Sequence, residues 1–153
     1  MNFVHVHLAI NHSPLYASLF AFGVLLVGMM IRNRSVATSG LVIAIIAALC
    51  AIATYTTGDQ AKDIIDSSPP IAGVEKTMIG PHQDAAGWFI TASCVTGVLA
   101  IVALFLGRKR ERPRWVEFVV MIALLFCLTV VARTAVLGGR IHHPEVRAVV
   151  GGG

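Results

Sequence analysis

Four stretches of the chain are apolar at nearly every position, and polar residues gather between them. The apolar runs cover about Pro14 to Ile31, Gly40 to Tyr55, Ala85 to Leu106 and Val116 to Leu137. Crossing a bilayer takes about 20 residues of helix at 1.5 Å rise per residue. None of the runs has Asp, Lys or Arg at its centre. Lipid offers the backbone no hydrogen-bonding partner, so each run predicts a helix. The period-two alternation of a membrane barrel strand is missing. The expected fold is all-α: an integral membrane four-helix bundle, with residues 1–153 forming a single transmembrane domain.

Composition strengthens this reading. Of the 153 residues, 56% are hydrophobic and 13% are charged, and the mean hydropathy is +0.79. A soluble domain carries about 25% charged residues. A disordered chain, a disulfide scaffold and a nucleic-acid-binding domain are excluded. The isoelectric point near 9.3 reflects clustering, not a basic surface. Arg32 and Arg34 follow the first span, and Arg108, Lys109, Arg110, Arg112 and Arg114 link the third to the fourth. These two loops hold seven of the twelve basic residues.

The positive-inside rule makes both basic loops cytoplasmic. Both termini then lie on the outer, periplasmic side of a bacterial inner membrane, as does a long loop from Thr56 to Asp84. That loop is expected to cap the outer end between helices 2 and 3, with short helices near Ala61–Asp66 and Gly73–Ile79. No Lys or Arg precedes Arg32, so a cleaved signal peptide is not expected. Cys50, Cys94 and Cys127 fall inside spans without CxxC spacing and read as small buried hydrophobes.

The same topology puts all six histidines at the outer end: His5, His7, His12, His82, His142 and His143. Imidazole is an amphipathic ring suited to headgroup depth. It is also the commonest metal ligand and an axial ligand of haem, and helix bundles build such sites from facing helices. His5 and His12, seven apart, share a face if a helix starts near Phe3, with His7 pointing elsewhere. Ser13-Pro14 reads as an N-cap followed by Pro at the first helical position. His82 follows Gly80-Pro81 in a similar way, so His12 and His82 are expected at matching depth. Asp59 and Asp84 lie at this end, and Gly138-Gly139 is expected to close the fourth span. Arg133, about one turn inside that span, reads either as a snorkelling side chain or as a functional one.

Four patches carry a family resemblance: His5-Val6-His7-Leu8 with Asn11-His12-Ser13-Pro14; Tyr55-Thr56-Thr57-Gly58; His82-Gln83-Asp84-Ala85-Ala86; and Gly138-Gly139-Arg140-Ile141-His142-His143-Pro144-Glu145. With these the chain resembles small four-span bacterial membrane proteins grouped as domains of unknown function. The resemblance implies four helices with histidine motifs on one face. It nominates His5, His7, His12, His82 and His143.

The leading functional expectation is a membrane-embedded haem b protein that transfers electrons, or a small haem-bearing subunit of a respiratory or photosynthetic complex. It would act as an electron carrier or subunit in place of an independent enzyme. Axial ligands would come from His7, His12, His82 and His143, with Arg133 or Arg140 meeting the propionates. Electrons would pass between a periplasmic cytochrome and quinone or a partner membrane subunit. There is no CxxCH for covalent haem. A second expectation is a copper, iron or zinc site without haem, drawn from His5, His7, His12, His82, Asp84 and His143. A third is a cofactor-free assembly subunit of a larger membrane complex.

Overall fold

The computed structural model describes residues 2–108 and 112–143. Lys109, Arg110 and Glu111 of the basic link, and Pro144-Glu145 of the last motif, lie outside the described residues. Among the described residues every regular element is helical: α1 (Phe3–Ile10), α2 (Ser13–Met30), α3 (Arg34–Ser67), α4 (Ile79–Leu106) and α5 (Arg114–His142), with one 3-10 turn at Lys76–Met78. Four helical stretches are long and apolar enough to cross a membrane: Phe3–Met30, Arg34–Ser67, Lys76–Leu106 and Arg114–His142. The chain is a multi-pass helical membrane protein.

The apolar runs mark the middle of each helix but not its ends. The expected capping loop from Thr56 to Asp84 is largely helix instead. α3 continues to Ser67, and α4 begins at Ile79. The polar residues of this stretch satisfy themselves along the helix. Thr56 Oγ1 donates to Ile52 O at 3.0 Å and Thr57 Oγ1 to Ala53 O at 2.9 Å, while Ala61 is buried against the bundle. Ser67 and Ser68 then bond back to Asp63 O and Ile64 O, and Pro69 and Pro70 cannot continue the ladder.

Gly138 and Gly139 likewise do not end α5, which runs on to His142. Ile141 is buried, and its carbonyl accepts from Glu75 N at 2.9 Å, so the last turn is docked. At the start of α2 the cap falls one residue earlier than expected. His12 is the cap, and Ser13 Oγ donates to Ile10 O at 2.7 Å. This turn separates α1 from α2, so His5 and His12 do not share one helix.

In the bundle α2 packs beside α3, α3 beside α4, α4 beside α5, and α5 closes against α2. Arg34, at the start of α3, donates to Gly107 O at the end of α4. Arg114, at the start of α5, donates to Met29 O at 2.9 Å near the end of α2. Cationic donors on terminal carbonyls complement the negative ends of both helices. These contacts define an arginine end, and the histidines lie at the other.

The interior is narrow and built from small residues. Ala21, Ala44, Ala100 and Ala103 are buried with Leu25, Leu41 and Leu124. Large apolar side chains face outward: Phe20 is 64% exposed and Ile122 66%. This inverts the soluble pattern and suits a lipid exterior, where helices associate through close packing of small residues. α2 and α3 touch most closely at Gly28, where an added Cβ would lie 2.3 Å from Ala37 N. That neighbour is backbone and cannot rotate away. Gly28→Ala is expected to destabilise the bundle by about 1–3 kcal/mol through overpacking, read as a lower unfolding midpoint in detergent.

Candidate functional site: a histidine-lined cavity

At the histidine end the helices enclose a cavity of about 520 Å³. Five histidines line it, and the two that are half-buried, His7 and His82, lie on different helices in matching surroundings. His7, on α1, is half-buried, and its Nδ1 lies 3.1 Å from Thr54 O on α3. His82, in the first turn of α4, is half-buried, and its Nδ1 lies 3.0 Å from Thr134 O on α5. A carbonyl oxygen only accepts, so each ring donates from Nδ1. In the neutral ring this leaves a lone pair on Nε2.

Each ring also lies over a glycine one turn beyond its carbonyl. A Cβ on Gly58 would sit 2.9 Å from His7 Cε1, and one on Gly138 would sit 3.0 Å from His82 Cε1. The same local device therefore occurs twice: a threonine carbonyl, a glycine four residues later, and a histidine from the neighbouring helix laid across both. Only glycine leaves room for a ring this close to the helix. The spacing is legible as Thr54-x3-Gly58 and Thr134-x3-Gly138, towards the histidine ends of antiparallel partners of α1 and α4. Sequence reasoning picked out both glycines but not their role as beds for histidines.

The cavity wall is mostly apolar, with Ala86, Phe89, Ile90 and Val131 among its residues. Asn11 also lines the cavity, and its Oδ1 is buried without a hydrogen-bond partner among the described residues. At the rim Lys62 lines the cavity and pairs with Asp66 at 3.0 Å, while Gln83 Nε2 donates to Asp59 Oδ1 at 2.8 Å.

The other sequence-nominated residues divide clearly. His12 and His143 line the same cavity but are exposed. His12 stacks on Tyr16 with ring centroids 6.4 Å apart. His142 also lines the rim. His5 is exposed, and its ring bonds Asn2 Oδ1 at 2.7 Å. Asp84 and Arg133 are exposed, Arg140 is half-buried, and His5, Asp84, Arg133 and Arg140 are not among the lining residues. Of the four histidines expected to supply ligands, His7 and His82 share the same setting, while His12 and His143 are exposed. α1 breaks at Asn11, which carries His12 out to the rim. Among the described residues, no three of His, Cys, Asp and Glu gather as a metal cage.

The cysteines lie within the helices as free thiols. Cys127 is buried, with its Sγ 3.3 Å from Thr96 Oγ1. Comparison with protein-family models, curated proteins and solved structures finds no match to this chain.

Proposed function

We propose that the histidine-end cavity binds haem b through His7 and His82. The protein then serves as a membrane-embedded electron carrier or a small haem-bearing subunit of a respiratory or photosynthetic complex. The observation that carries this reading is the matched pair of rings, each held at Nδ1 by a helix carbonyl and bedded on a glycine. Histidines that ligate metals typically donate their other ring N–H to a carbonyl or carboxylate, which fixes tautomer and orientation. Two half-buried imidazoles, with no group of three His, Cys, Asp or Glu gathered among the described residues, would suit holding the iron of a haem, which brings its own macrocycle. They suit a copper or zinc cage of three or four side chains less well. A volume of about 520 Å³ falls within the ~300–1,000 Å³ typical of cofactor sites.

Haem, when bound, supplies the one-electron chemistry. The chain's own residues hold and tune the site. His7 and His82 orient their Nε2 lone pairs. Phe89, Ile90 and Val131 keep that wall dry, and dryness is one of the levers on redox potential. Lys62 takes the role expected of Arg133 or Arg140, meeting a carboxylate at the rim. By the positive-inside rule the arginine end is cytoplasmic. The cavity and both termini then face outward from a bacterial inner membrane, within reach of a periplasmic cytochrome, quinone or a neighbouring subunit.

The test is an optical spectrum of the protein purified in mild detergent, oxidised and then dithionite-reduced, with a pyridine haemochrome assay. A Soret band with a reduced b-type α-band supports the proposal. A featureless spectrum from protein expressed with ample haem overturns it in favour of a cofactor-free assembly subunit. The glycine beds give a finer test. Gly138→Ala forces His82 off its carbonyl and is expected to weaken haem binding by about 10–100-fold, as loss of an outer hydrogen bond to a metal ligand does. Gly87→Ala, where a Cβ meets nothing within 4 Å, is expected to leave binding unchanged. Haem titration of the apoprotein reads both.

A further inference from the structure

The arginine end holds a second, smaller cavity, of about 220 Å³, lined by Arg32, Arg34, Arg112 and Arg114 with Asn33, Gly28, Met29, Ala37 and Glu117. These side chains come from the α2–α3 turn and from the start of α5, which the fold brings together. Among the described lining residues one acid accompanies four arginines, and it is already engaged. Glu117 Oε1 accepts from Arg112 Nε at 2.8 Å and from its terminal nitrogen at 2.7 Å. The described lining residues carry a surplus of positive charge. Arg114 bonds Met29 O, but a guanidinium carries five N–H donors, so one carbonyl does not saturate it.

A second observation singles out Arg32. α2 ends in a Schellman arrangement: Asn33 N donates to Gly28 O at 2.9 Å and Arg32 N to Met29 O at 3.4 Å. The residue at the left-handed position of this motif is usually glycine. Here it is Arg32, with φ of 55°. An arginine held in a conformation that favours glycine is costly for folding, and non-glycine residues in such positions concentrate at binding sites. This one lines the basic pocket. Beside it the bundle turns apolar towards lipid: Met30 and Ile31 are exposed, as is Trp115.

We propose that this pocket binds the phosphate of an anionic phospholipid headgroup, with its acyl chains against the Met30, Ile31 and Trp115 surface. Arginine forks suit phosphate oxygens, and basic pockets between membrane helices on the cytoplasmic side take anionic headgroups. The site is independent of the haem reading.

Two measurements test it on the purified full-length protein, in a Trp88→Phe background so that Trp115 alone reports. Brominated phosphatidylglycerol and brominated phosphatidylcholine are compared as quenchers in mixed micelles, and Arg32→Gly and Arg32→Lys are compared with Arg32. Phosphatidylglycerol is expected to quench at several-fold lower mole fraction. Arg32→Gly is expected to raise the required fraction about fivefold, the effect of one arginine at a charged surface. It should also leave the melting temperature equal or higher, because glycine relieves the left-handed strain. Arg32→Lys is expected to retain most of the preference. Equal quenching by the two lipids overturns the proposal, as does an Arg32→Gly variant that keeps the full preference. Displacement of the lipid by millimolar inorganic phosphate overturns the lipid assignment and identifies a site for soluble phosphate.

Discussion

His82→Ala and His7→Ala are each expected to reduce haem occupancy at least tenfold in protein purified with added haem, whereas His5→Ala and His12→Ala keep a wild-type spectrum. The difference follows from how each ring is held. His7 and His82 are half-buried and fixed at Nδ1 by Thr54 O and Thr134 O. On the proposed reading, losing either would remove one of the two rings that hold the haem, together with its preset orientation. His5 bonds only to neighbouring Asn2, and His12 stacks on Tyr16 at the exposed rim. Neither contact depends on what fills the cavity. Occupancy is read from the Soret absorbance per protein and from the haemochrome assay. Equal losses at all four positions would mean that the rings act by folding the histidine end and would sink the paired-ligand reading. Loss at His12 alone would move the site to the rim.

Glu117→Ala is expected to destabilise the bundle by about 3–5 kcal/mol, the cost of breaking a buried ion pair from one side. Arg112 and Glu117 side chains are 2% and 10% exposed, so removing the carboxylate strands a guanidinium left, among the described residues, with Thr38 Oγ1 at 3.4 Å. The double variant Arg112→Met with Glu117→Met is expected to cost less than either single change, because no charge is then left buried. Unfolding midpoints in detergent for Arg112→Met, Glu117→Met and the double close the cycle. Additive losses would mean that the pair is hydrated in the membrane protein. The carboxylate also sits in the first turn of α5, where the helix dipole favours it by a few tenths of a kcal/mol. That term is small beside the ion pair.

Much of the architecture was legible in the chain because the bilayer imposes a single demand. A spanning segment must be apolar over about 20 residues and must satisfy its own backbone. Four runs meet that demand. What they missed are the polar ends: α3 beyond Tyr55, α4 before Ala85 and α5 beyond Leu137. In those turns Thr56, Thr57 and Ser67 bond to carbonyls of their own helix, a possibility that composition does not distinguish from a loop. The gathering of histidines at one end was readable from their positions between the spans.

The sequence by itself determined that the chain is all-helical, that four of its helices are apolar enough to cross a membrane, and that its histidines lie at the end opposite Arg32, Arg34, Arg112 and Arg114. These follow from hydropathy and order along the chain. Only the tertiary structure decided that His7, not His12, is the counterpart of His82, and that Gly58 and Gly138 are beds for rings. It alone placed Arg32 beside Arg112 and Arg114. Such relations depend on which faces meet across helices, at ångström separations. No periodicity within one helix encodes the position of a carbonyl on its neighbour.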